Sequence, residues 1–79
     1  MEKLIHVRAS FDEEARVWVA ESDDVPGLIT EADTLDALVA KLHQIIPELL
    51  ELNNGVIASP VPFELLARLS AHGGFRTAA

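Results

Sequence analysis

Residues Asp23–Leu38 read DDVPGLITEADTLDAL and hold the two boundaries that decide the fold. The first is the turn DDVPG. Pro26 presets φ at one central position, Gly27 supplies the positive φ that a type II turn needs at the next, and Asp23 and Asp24 can accept bonds from nearby backbone amides. The second is Asp33-Thr34, which stands just before an apolar series at Leu35, Leu38, Val39, Leu42, Ile45, Ile46 and Leu49 repeating at helical spacing. Thr34 is the better N-cap and Asp33 the alternative, with Asp36 in the first turn where the helix dipole favours a negative charge. Between the two boundaries, Leu28–Glu31, including Thr30, has room for one short strand.

Upstream, Ile5, Val7, Ala9 and Phe11 alternate with His6, Arg8 and Ser10, the period-2 signature of a half-buried strand. Asp12-Glu13-Glu14 interrupts the alternation, and RVWVAES then supplies a second strand to form a hairpin. An even loop places Trp18 and Ala20 on the face of Val7 and Ala9, whereas an odd loop places Val17 and Val19 there. Either way the second strand is apolar on both sides. The helix can cover one face only, so the expectation is a homo-oligomer formed through the sheet, with Val17 and Val19 as candidate interface residues.

Downstream, Pro47 removes a backbone hydrogen bond and clashes with the preceding turn, which predicts a kink or short break in the helix. The apolar face resumes at Leu49, Leu50 and Leu52, and Asn53-Asn54-Gly55 closes the helix with a residue suited to the left-handed position. In PVPFELLARLSAH the alternation of Val61, Phe63, Leu65, Ala67, Leu69 and Ala71 argues for a fourth strand, against the good intrinsic helix propensity of Leu, Ala, Glu and Arg. The fold class expected is α+β, in the order β-β-β-α-β, with one kinked helix packed on an antiparallel sheet. Residues 1–72 form a single domain and residues 73–79 a frayed tail.

A chain of 79 residues, 49% of them apolar, builds one thin core. Such a chain buries only about 60% of its unfolded surface. The absence of cysteine removes disulfide and thiolate-zinc bracing, which leaves self-association as the staple and is compatible with a cytoplasmic location. The N-terminus is too polar for a signal peptide, and no run approaches the roughly 20 apolar residues of a membrane span. The net charge is −7, and nine of the thirteen acids lie between Asp12 and Asp36, where Arg16 is the only basic side chain. Direct nucleic-acid binding needs clustered Lys and Arg, so it is not expected. A basic protein partner is the functional reading of this charge, and a solvated acidic surface is the plainer one.

Glu21, Asp23, Asp24, Glu31 and Asp33 near one end of a small sheet could suggest a magnesium-dependent nuclease. Turns and helix starts recruit Asp for local hydrogen bonds, however, and no basic residue is at hand to hold a phosphate. His6, His43 and His72 lack metal-site spacing, the serines lie in no nucleophile motif, and the glycines form no phosphate-cradling loop. No catalytic residue, cofactor site or metal site is expected.

VWVAESDDVPGLITEADTLDALVAKL resembles the HicB-like antitoxin superfamily, in which a strand ending near Val-Ala leads through a Pro-Gly turn and a short Thr-containing strand to a Gly-Asp-Thr or Gly-Asp-Ser helix start. It looks closest to a short branch of that superfamily without assigned function, over about Ile5 to Asn53. The resemblance implies a partial ribonuclease-H-like fold of three antiparallel strands, a helix and a fourth strand. It makes Pro26 and Gly27 the turn, puts Thr30 in the third strand, and makes Asp33 and Thr34 the helix start. Leu28 stands where the antitoxins often have cysteine, and Ala32 where they have glycine, so that junction must tolerate a Cβ. The 26 residues after Asn53 leave little room for the helix-turn-helix or ribbon-helix-helix tail that binds operator DNA. The function implied is a non-enzymatic module that covers a small, basic, RNA-cleaving toxin through acids at Asp12, Glu13, Glu14, Glu21, Asp23 and Asp24. The runner-up is a free-standing oligomeric protein that binds another protein or a small ligand.

Overall fold

The computed structural model describes residues 4–55 and 61–70, so the expected tail lies outside the described residues. Five elements follow in the expected order: β1 (Ile5–Asp12), β2 (Val17–Glu21), β3 (Ile29–Ala32), α1 (Leu35–Asn54) and β4 (Phe63–Arg68). They make one four-stranded sheet in the order β3-β2-β1-β4, with α1 against one face. The alternation of Phe63–Ala71 did mark a strand, which ends at Arg68 among the described residues.

The sheet is mixed and not antiparallel throughout. β1 pairs antiparallel with β2 and β2 with β3, but β4 pairs parallel with β1. Two reversals leave β3 running in the direction of β1. The single helix then carries the chain back along the sheet, so the next strand must run in that same direction.

Asp12 opposite Val17 leaves a four-residue loop, and the even register follows: Phe11 faces Trp18 and Ala9 faces Ala20 on the helix side. Val17 and Val19 are half-buried on the open side. Arg16 closes the loop at φ 60°, a left-handed conformation that costs an L-residue roughly 1–2 kcal/mol. The Asp12 carboxylate offsets that cost by accepting the amides of Glu14 (3.0 Å) and Ala15 (3.2 Å).

Thr34 is the N-cap. Its backbone is extended and its hydroxyl accepts the Ala37 amide at 3.1 Å. Leu38, Leu42 and Ile46 are fully buried and Leu50 nearly so, a ridge with a four-residue step set against Ile5, Val7, Ala9, Ala20 and Ala32. The helix runs through Pro47 without a break. Ile46 and Leu50 are anchored in the core on either side of the proline, so packing holds the turn that has lost one hydrogen bond. Leu52 does not extend the apolar face. It is 81% exposed, because two residues of helix turn it about 200° away from Leu50. Gly55 ends the helix at φ 85°, its amide donating to the Glu51 carbonyl at 2.8 Å.

Among the described residues no helix is long and apolar enough to cross a membrane. Truncating Leu38 or Leu42 to alanine should destabilise the domain by roughly 2–5 kcal/mol in urea melts, from lost transfer energy plus a cavity. Truncating Asp23, an exposed partner of Arg8, should cost much less. The reverse ranking would contradict this account of the core.

Candidate functional site

The six acids expected to meet a partner lie at opposite ends of the sheet, separated by the length of β2, about 17 Å for five residues. Glu21, Asp23 and Asp24 lie at the end that holds the Pro-Gly turn, where structural contacts occupy them. Arg8 Nη1 donates to Asp23 at 3.1 Å, and Arg8 Nη2 lies 4.0 Å from Glu21. Asp24 Oδ2 accepts the backbone amide of His6 at 2.9 Å. Ser22 Oγ donates to the His6 carbonyl and accepts the Asp24 amide at 3.0 Å.

These contacts explain the sequence Ser-Asp-Asp. β2 stops at Glu21, opposite Arg8, so the backbone of His6 has no strand partner on that side. The Ser22 hydroxyl and the Asp24 carboxylate take the place of the missing strand and satisfy both of its polar groups. Behind them the turn closes as expected, with the Leu28 amide on the Val25 carbonyl at 3.1 Å and Gly27 at φ 85°. Val25 and Leu28 enter the core, and Asn53 Nδ2 ties the Pro26 carbonyl to the helix end at 3.2 Å. Thr30 is half-buried opposite Ala20, and Ala32 is buried opposite Trp18 with no left-handed backbone that would call for glycine.

The other end is differently built. The β1–β2 loop carries the exposed Glu13 and Glu14, the neighbouring β3–α1 junction carries the exposed Asp33, and the first turn of α1 carries the exposed Asp36. Asp12 also lies here, but its carboxylate is committed to the loop. Below the loop, Phe11 and Trp18 meet edge to face with ring centroids 5.3 Å apart. The Arg16 guanidinium lies over the Phe11 ring at 5.4 Å, a cation–π contact that holds this cation against the protein.

Phe11, Glu13, Arg16, Trp18 and Leu69 line a notch of about 310 Å³. Leu69 is 59% exposed there. An aromatic floor with a charged rim is the usual anatomy of a protein contact. Sequence reasoning missed this notch. The signal that could have found it is the even hairpin register, which sets Trp18 opposite Phe11.

The open face of the sheet has a second hollow of about 250 Å³, lined by Arg8, Ala9, Ser10, Glu21, Leu66 and Arg68. His6 Nδ1 lies 3.1 Å from Glu64, and His43 packs edge-on against Phe63 with ring centroids 5.1 Å apart. His72 lies outside the described residues. Among the described residues, no three His, Asp or Glu side chains are grouped so as to hold a metal ion.

The family described as "Domain of unknown function (DUF1902)" matches residues 4–75. The chain belongs to this family. A crystal structure of similar fold is that of hypothetical protein TTHA1013 from the extremely thermophilic bacterium Thermus thermophilus, which is 49% identical and has a TM-score of 0.69. The match covers 92% of this DUF1902 chain and 100% of that one. No curated protein matches.

The contrast between the two ends predicts unequal roles for adjacent acids. Asp24→Ala should destabilise the domain by about 1–3 kcal/mol, because it leaves the His6 amide without its acceptor. Glu13→Ala should change stability by no more than about 0.5 kcal/mol. Urea melts followed by Trp18 fluorescence would check both. An equal response at the two positions would contradict the division between structural and free acids.

Proposed function

We infer that this DUF1902 protein is a non-enzymatic, antitoxin-like binding module on a HicB-like sheet, whose loop end covers a small, basic, RNA-cleaving protein. The observation that carries this reading is the Phe11–Trp18–Leu69 notch with Glu13 and Glu14 beside it. An RNA-cleaving protein must gather cations to hold phosphates. An acidic surface with an apolar centre competes for that same basic face. The acids steer the encounter, and the aromatic floor supplies buried area that slows dissociation. The site needs no catalytic group, cofactor or metal, and action on such a toxin belongs in the cytoplasm.

The second reading, a free-standing oligomeric protein that binds a small ligand, draws on the open-face hollow, where Arg8, Ser10 and Arg68 line one cavity together with the Glu21 carboxylate. A small anion is the ligand chemistry the two arginines and the serine suit.

Stopped-flow mixing with a candidate basic partner, followed by Trp18 fluorescence, separates the two. Association should slow as salt rises, since the screening length contracts from about 10 Å at 0.1 M to about 3 Å at 1 M. The double variant Glu13→Gln/Glu14→Gln should associate more slowly at low salt while its urea midpoint stays unchanged. Asp12 is left intact because it builds the loop. Equal rates for both proteins at both salt concentrations would remove the loop acids from the mechanism and favour the second reading.

A further inference from the structure

We propose that a second copy of this chain pairs edge to edge with β4, antiparallel, about a two-fold axis at Leu66, which joins two four-stranded sheets into one of eight strands. The contact does not use Val17 or Val19; its argument does not draw on the binding reading above, although it brings the notch residue Leu69 to the seam.

The two edges of the sheet are unequal. β3 has four residues, and the Lys41 ammonium donates to its Glu31 carbonyl, two devices that blunt an edge. β4 has six residues, and among the described residues its backbone bonds only to β1. The phase of that pairing tells which groups point outward. The Ile5 amide donates to the Pro62 carbonyl, and in a parallel ladder each bonding residue reaches the two residues that flank its partner. Ile5, Val7 and Ala9 therefore use the backbone of Glu64, Leu66 and Arg68. The amides and carbonyls of Phe63, Leu65 and Ala67 face out.

Side-chain chemistry then selects one register. A two-fold pairing that keeps each face intact must set residues of equal parity opposite each other. Centring it on Leu66 places Leu65 opposite Ala67 of the second copy as the bonded pair, which are the outward-facing residues the ladder requires. The same register puts Glu64 opposite Arg68 of the second copy, twice by symmetry, and Leu66 opposite Leu66. Centring on Glu64 opposes two carboxylates, and centring on Arg68 opposes two guanidiniums. Centring on Leu65 or Ala67 forms no charge pair. The favoured register also covers the right surface: Leu66 is 70% exposed on the open face, and Leu69, 59% exposed, comes opposite Phe63 of the second copy. An isologous contact of this kind closes as a dimer. Both helices lie on one face of the joined sheet.

Five variants of the full chain test this. Glu64→Arg and Arg68→Glu should each raise the dimer dissociation constant at least about ten-fold in sedimentation equilibrium, because symmetry turns two attractive pairs into two repulsive ones. The double reversal should bring it back to within a few-fold of the original. The chain has no cysteine, so Leu66→Cys should cross-link to itself under mild oxidation, its Cα atoms being about 4.5 Å apart in a non-bonded antiparallel pair. Ser10→Cys, on the same face but in β1, should not. A monomer at micromolar concentration, a dimer indifferent to the single reversals, or cross-linking through Ser10→Cys in preference to Leu66→Cys would each overturn the proposal. Should a reversal impair folding, the cysteine pair still decides, since both positions are exposed.

Discussion

One helix of 20 residues has to cover a sheet of four strands, and the rest of the structure follows from that mismatch. A helix with its side chains is about 10–12 Å across, while the outer strands lie about 14 Å apart before their own side chains are counted. The ridge of Leu38, Leu42, Ile46 and Leu50 therefore has to settle somewhere, and it settles over small residues. The helix backbone runs closest to β3 and β2, where the inward positions include Ala20 and Ala32. Towards β4 the larger Phe63 and Leu65 reach back to the core but are only half-buried. The margin of the sheet on that side, Leu69 and the far end of β4, is left exposed.

The same shortage of cover acts at the loop end. α1 begins at Leu35, directly after the junction that follows β3, so it leaves Phe11 and Trp18 to pack against each other. A small domain with no disulfide can tolerate such a partly covered aromatic pair only at a modest cost in stability. The notch is thus a consequence of fold size, and any binding use of it exploits surface that the single helix could not reach. Acids close to it repel one another, which favours a complementary charge above them.

Acidic residues at the other end serve the backbone. Ser22 and Asp24 finish β1 where β2 stops short, and Asp23 with Glu21 flanks Arg8 on the exposed face. A net charge of −7 therefore describes two populations of carboxylates. One is spent on amides and an arginine, and the other is free to act at a distance.

Local physics made much of this legible from residues alone. The period-2 alternation of Ile5, Val7, Ala9 and Phe11 fixed which face of β1 is buried, the four-residue ridge marked the buried face of α1, and Pro26-Gly27 and Thr34 marked a turn and a cap, because each depends only on neighbours within a few positions. What depended on distant partners was decided by the tertiary structure. The direction of β4 followed from the path of the helix. The passage of the helix through Pro47 followed from the anchoring of Ile46 and Leu50, and the side of the helix on which Leu52 falls followed from its angle to that ridge. Asp23 and Asp24 are neighbours in the sequence, and nothing in their local spacing tells them apart. Only the pairing of β1 with β2 set one carboxylate on a backbone amide of His6 and the other on the guanidinium of Arg8, since a hydrogen bond between residues 18 positions apart is a property of the folded chain and leaves no mark on local spacing.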